Sequence, residues 1–229
     1  MAKKLFDPTA ERPYLADANY YRLGYQLAAQ LMHREESGQK PPRRGPEEGP
    51  EILYGRADTP SPKGPSTYRV QAREQAEGFL ADAATTLRWL GQRRAQRKPW
   101  QSNALKPTEE RLEEFLMRTV EPTLQIIVAA SLRSSDPKGA EDHVQTVRQR
   151  AARRGEQDVS YRVLYNLACY EAGKVEDDAP LAAVRYLREA LRRAPANRRQ
   201  ELGRWATKDP SLETLRKRSD FKEVIGSFG

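Results

Sequence analysis

Apolar residues recur along this chain at helical spacing, broken by clusters of proline and glycine. Tyr20, Leu23, Leu27 and Leu31 stand three, four and four residues apart, one face of a helix from about Asp17 to Arg34. Tyr21, Tyr25 and Ala28 widen that face, and Ser37-Gly38 ends it. Ala76, Leu80, Ala83, Leu87 and Leu90 repeat at four, three, four and three, which predicts a second helix from Thr67 to about Arg97. Phe79 and Trp89 flank that seam, and Pro99 closes it. A third helix is expected to begin at Thr108 as N-cap, with Glu109 and Glu110 near its positive end. Its buried stripe is Leu112, Phe115, Leu116, Thr119 and Val120. Pro122 should kink or split it, because proline lacks the N–H and crowds the preceding turn.

Downstream, Asp136-Pro137 opens a helix with Val144, Val147 and Ala151 on its apolar face, ended by Gly155. Further helices are predicted from about Val159 to Ala172, Pro180 to Arg193 and Arg198 to Thr207. Asp209-Pro210 then starts a last pair of short helices anchored by Phe221, Val224 and Ile225. No segment alternates apolar and polar residues at period two for the length of a strand. The predicted fold class is all-α: antiparallel helix pairs stacked as a short solenoid or bundle.

The stretch between the first two helices differs in kind. Residues 37–66 hold seven prolines and five glycines, which excludes a helix or a central strand and predicts a long disordered loop. Ile52-Leu53-Tyr54 is its one apolar spot, expected to dock on the folded part. The chain thus divides into residues 1–36 (lead and first helix), 37–66 (loop), 67–157 (bundle or degenerate repeats) and 158–229 (a repeat with closing helices).

Composition narrows the picture. Of 229 residues, 38% are apolar, enough for one core or two small ones. A single Cys excludes a disulfide framework, and with only two His it leaves no zinc module; no metal or cofactor is expected. The longest apolar run, Leu124–Leu132, is nine residues, and the N-terminal lead carries no signal-peptide core. These features predict a soluble, cytoplasmic protein without a membrane partner.

Residues 159–195 read VSYRVLYNLACYEAGKVEDDAPLAAVRYLREALRRAP, two amphipathic helices joined by an acidic turn. Small residues fall where the helices would cross, Ala168 and Cys169 on one and Ala183 and Ala190 on the other. Leu164, Leu167, Tyr186 and Leu187 fill the sides. This segment resembles a tetratricopeptide repeat. Leu167-Ala168 stands at the family's Leu-Gly/Ala pair, with Asn166 before it; Ala183, Leu187, Ala190 and Pro195 follow the second-half pattern. The turn is longer than the consensus, and the aromatic is displaced to Tyr170. Asp209, Pro210, Leu212, Leu215, Arg216 and Phe221 resemble the segment that closes the last repeat of many bacterial repeat proteins. The likeness covers residues 159–226. It implies a concave face, lined by the first helix of each pair, that holds a protein or peptide partner. On this chain those positions are Arg162, Tyr165, Asn166, Cys169 and Ala172.

Catalytic signatures are lacking: no phosphate-binding glycine loop, nucleophile elbow or kinase motif occurs. Glu141, Asp142 and His143 are adjacent on a helix and point apart. Cys169 sits where a small packed residue is wanted, without a visible base. No enzymatic activity is expected. A net charge of +8 leaves a second binding reading, a basic surface for nucleic acid. Its residues are Arg93, Arg94, Arg97, Lys98, Arg150, Arg153, Arg154, Arg192 and Arg193, all at predicted helix C-termini, where cations also offset the macrodipole. The favoured expectation is a non-catalytic interaction or scaffold module that binds a protein through its concave face.

Overall fold

A computed structural model describes residues 19–22, 24, 67–95, 107–152 and 159–228. The Pro/Gly-rich loop, Arg97, Lys98, Arg153 and Arg154 lie outside the described residues, as does most of the first predicted helix. Regular structure among the described residues is entirely helical. Its elements are α1 (Thr67–Ala95), α2 (Pro107–Phe115), a π turn (Leu116–Val120), α3 (Glu121–Leu132), α4 (Pro137–Ala152), α5 (Tyr161–Ala172), α6 (Ala179–Arg193), α7 (Ala196–Ala206), a 3₁₀ turn (Pro210–Leu215) and α8 (Ser219–Phe228). Residues 19–22 are helical and lie on α1, where Tyr20 donates to Asp82 at 2.6 Å and Tyr21 is 2.6 Å from Thr86.

The core is centred on α3, which packs against α1, α4 and α5. Leu124, Ile126, Ile127, Val128 and Ala129 are all fully buried, so α3 is apolar around most of its circumference, with Glu121 and Gln125 on one half-buried edge. The helical stretch Glu109–Leu132 is long and apolar enough to cross a membrane by length and composition, although its longest unbroken apolar run is short. Arg118, Glu121 and Gln125 interrupt the run, and most of the apolar part is buried inside this fold, as in the core helix of a folded domain.

Pro122 neither splits nor ends its helix. The chain passes from α2 into α3 through the π turn, in which the Glu121 N–H bonds to Leu116 O, five residues back. Two carbonyls are thereby released, Met117 O by the shifted bond and Arg118 O by the missing proline N–H. Both find donors from elsewhere in the chain. The Ser160 N–H, at the start of α5, donates to Arg118 O at 2.9 Å. Arg150, from the end of α4, donates to Met117 O at 3.3 Å. The π turn ahead of Pro122 is therefore the point where α4 and α5 are fastened to the core helix.

Other boundaries follow local chemistry. Asp136 accepts from the Gly139 N–H at 2.9 Å ahead of Pro137, and Asp209 accepts from the Ser211 N–H at 2.9 Å ahead of Pro210. α2 starts at Pro107 rather than after a Thr108 cap, since the proline φ already suits a first helical turn. Between Asp209 and Ser219 the predicted pair resolves into a 3₁₀ turn followed by α8.

Candidate functional site

α5 and α6 form the most closely associated pair in the molecule, joined by the turn of residues 173–178. Small side chains allow the approach: Ala168, Ala183 and Ala190 are fully buried at 0% exposure. α7 and α8 pack on one another and on α6, and the 3₁₀ turn lies against α5.

That last contact determines what α5 can offer. Arg162 is exposed, but Tyr165, Asn166, Cys169 and Ala172 are buried. Tyr165, Cys169 and Ala172, at helical spacings of four and three, meet the chain's own C-terminal segment. The Tyr165 hydroxyl donates to Asp209 Oδ2 at 2.8 Å, and the Cys169 thiol points to the same oxygen at 3.7 Å. Thr214 donates to Ala172 O at 3.2 Å, and Arg216 donates to Asp209 O at 2.9 Å. Leu212 and Leu215 are buried in the same seam. Of the five positions assigned to a concave binding face, Tyr165, Cys169 and Ala172 are thus covered from within, and Arg162 stays exposed.

The electrostatics of this closed site favour neutral groups. Burial pushes the Asp209 carboxyl above its usual 3.8, against hydrogen bonds from Tyr165 and Ser211 that stabilise the carboxylate. Burial, with Cys169 and Asp209 alongside, raises the Tyr165 hydroxyl well above 10.0. A thiol and a phenol converge on one carboxyl oxygen, and all three groups are buried. This contact holds the C-terminal segment in place.

A second polar cluster joins α4, α5 and the turn after α5. Glu171 is buried and receives Arg148 at 2.7 Å and Lys174 at 3.6 Å; Glu141 pairs with the same two cations. Burial alone would lower the Lys174 ammonium, but Glu171 and Glu141 outweigh it and hold the group above 10.5. Arg133 lies over the Tyr170 ring at 4.3 Å from its centroid and donates to Tyr170 O and Gly173 O. Sequence reasoning missed this cluster; its one signal was Glu171, an acid embedded in an otherwise apolar helix.

The described arginines of the basic reading are each engaged with carboxylates of the chain. Arg93 pairs with Glu109 at 3.2 Å, and Arg94 with Glu113, so the C-terminus of α1 meets the N-terminus of α2. Arg150 holds Glu121 through two bonds, at 3.0 and 3.2 Å. Arg192 and Arg193 share Glu189, whose carboxyl they hold down at about 2. Among the described residues no group of His, Cys, Asp and Glu is placed to hold a metal ion.

Two aliphatic side chains of the α5–α6 unit stay open to solvent. Val175, in the connecting turn, is 84% exposed, and Leu181, in the first turn of α6, is 57% exposed. Arg162 is exposed at the start of α5, beside the Tyr161 ring. Comparison of the chain with protein-family models, with curated proteins and with solved structures finds no match.

Proposed function

We propose that this chain is a non-catalytic protein-interaction module, a short stack of helix pairs of the tetratricopeptide kind, that binds a protein partner on the outer side of the α5–α6 pair. The observation that carries this reading is the distribution of cover. Three α5 positions of a concave groove, Tyr165, Cys169 and Ala172, are covered by the C-terminal segment, while Val175 and Leu181 stay in water. Large aliphatic groups left open beside a rigid helix pair suit partner contact. The small-residue crossing of α5 and α6 supports the helix-pair arrangement. In-chain pairing of Arg93, Arg94 and Arg150 favours a protein over a nucleic acid as partner.

Site-specific photo-cross-linking tests it. A benzophenone side chain is placed at Leu181, or, as a control on another helix, at the exposed Met117. Nuclease-treated lysate of source cells is irradiated with each protein. A discrete protein adduct at Leu181 and none at Met117 is expected. No adduct at Leu181, or equal labelling at both positions, would remove the basis for the reading.

A further inference from the structure

The outward row of α6 consists of Leu181, Arg185, Arg188 and Arg192, spaced four, three and four residues apart, and all four are exposed. The opposite row, Ala183, Leu187 and Ala190, is fully buried against the core. The helix therefore carries a cationic outer seam with an aliphatic residue at its N-terminal end. The side chains of Arg188 and Arg192 are 53% and 62% exposed. The contacts these residues make leave the seam cationic. Arg188 reaches Glu223 of α8 only at 3.7 Å, Arg185 lies over the Tyr186 ring at 5.4 Å, and Glu189 is shared between Arg192 and Arg193. The surroundings add to the field: residues 181–228 hold twelve Lys and Arg against six Asp and Glu.

From this charge and spacing we infer that the outer row of α6 is the docking site for an acidic helical segment of a partner protein. The inference rests on the proposed interaction role and specifies the partner's chemistry. At a rise of about 1.5 Å per residue, Arg185 and Arg192 lie roughly 10 Å apart along the axis, with Arg188 between them. Carboxylates at positions i, i+3 or i+4, and i+7 of a second helix repeat at the same intervals, so guanidinium and carboxylate can meet over two turns. Leu181 continues the row by one turn and gives an apolar contact to a Leu or Val of the partner. An aliphatic end and a straight row of arginines on a rigid helix match an amphipathic helix better than a single-stranded nucleic acid, whose binders interleave cations with stacking aromatics.

The test uses the full chain and a fluorescein-labelled helical peptide with Glu at the matching spacings and a Leu one turn beyond. Binding is read by anisotropy. Peptide with Lys in place of Glu, a single-stranded oligothymidylate and vesicles containing phosphatidylserine are the comparison probes. The Glu peptide is expected to bind best of the four. Arg185→Gln, Arg188→Gln and Arg192→Gln together should weaken it about tenfold, with helicity by circular dichroism unchanged. Leu181→Ala should weaken it severalfold, an effect that charge alone would not produce. Equal binding of the Lys peptide, no effect of the triple variant, or tighter binding of the oligonucleotide or vesicles through the same arginines would each overturn the inference. A protein adduct at Leu181 that persists in the triple variant would sink this inference while leaving the interaction role standing.

Discussion

Replacing Asp209 by alanine removes a weak thiol contact from Cys169 and two stronger hydrogen bonds, whose sizes can be worked from the structure. One carboxylate oxygen caps the 3₁₀ turn through the Ser211 N–H at 2.9 Å, and loss of such a cap costs about 0.5–2 kcal/mol. The other accepts from the buried Tyr165 hydroxyl at 2.8 Å, which alanine leaves without that acceptor, at a cost of about 1–3 kcal/mol. Burying an ionisable carboxyl opposes folding, so the net loss expected for Asp209→Ala is about 1–4 kcal/mol. For a chain of this size that lowers Tm by roughly 2–16 °C, measured by circular dichroism and checked by urea titration. A double-mutant cycle with Tyr165→Phe should show a coupling of about 0.5 kcal/mol or more. The pH dependence has a definite sign. Burial raises the Asp209 carboxyl above 3.8, so its contribution to stability is fully present below the unfolded value and is lost as pH rises through the folded one. The advantage of wild type over Asp209→Asn should therefore be larger near about pH 4 than near about pH 7. A Tm for Asp209→Ala within about 1 °C of wild type, or an advantage over Asn that grows toward neutral pH, would refute this account of the closed site.

Two further changes test the fold. Ala183→Trp or Ala190→Trp forces an indole into the fully buried α5–α6 crossing and should cost about 1–3 kcal/mol or more in chemical denaturation; an unchanged midpoint would mean that the helices do not cross there. Arg150→Ala removes the clamp on Glu121 and Met117 O and should destabilise the chain by about 1–2 kcal/mol, less at high salt; unaltered stability would free this arginine for an external ligand.

Periodicity determined where the helices are and which residues face inward. Ala76, Ala83 and Leu90, and later Val144 and Val147, are buried as their spacing requires. The two Asp-Pro pairs start helical turns because a carboxylate cap and a preset φ act within a few residues. Such local terms are readable from the chain alone.

Tertiary structure decided what local chemistry could not. Pro122 released a carbonyl, but only the arrival of Ser160, far along the chain, turned that gap into an anchor. Arg93, Arg94 and Arg150 sit at helix ends, as a basic surface or a dipole effect would equally place them; their carboxylate partners come from other helices, so spacing could not reveal them. The face of α5 formed by Tyr165, Cys169 and Ala172 is visible in the sequence as one row, but whether it meets solvent depends on where the chain ends up some forty residues later. Periodicity marks a face as shared by its residues. What covers that face is set by the path of the rest of the chain, and here the C-terminal turn closes it and leaves the outer row of α6 in water.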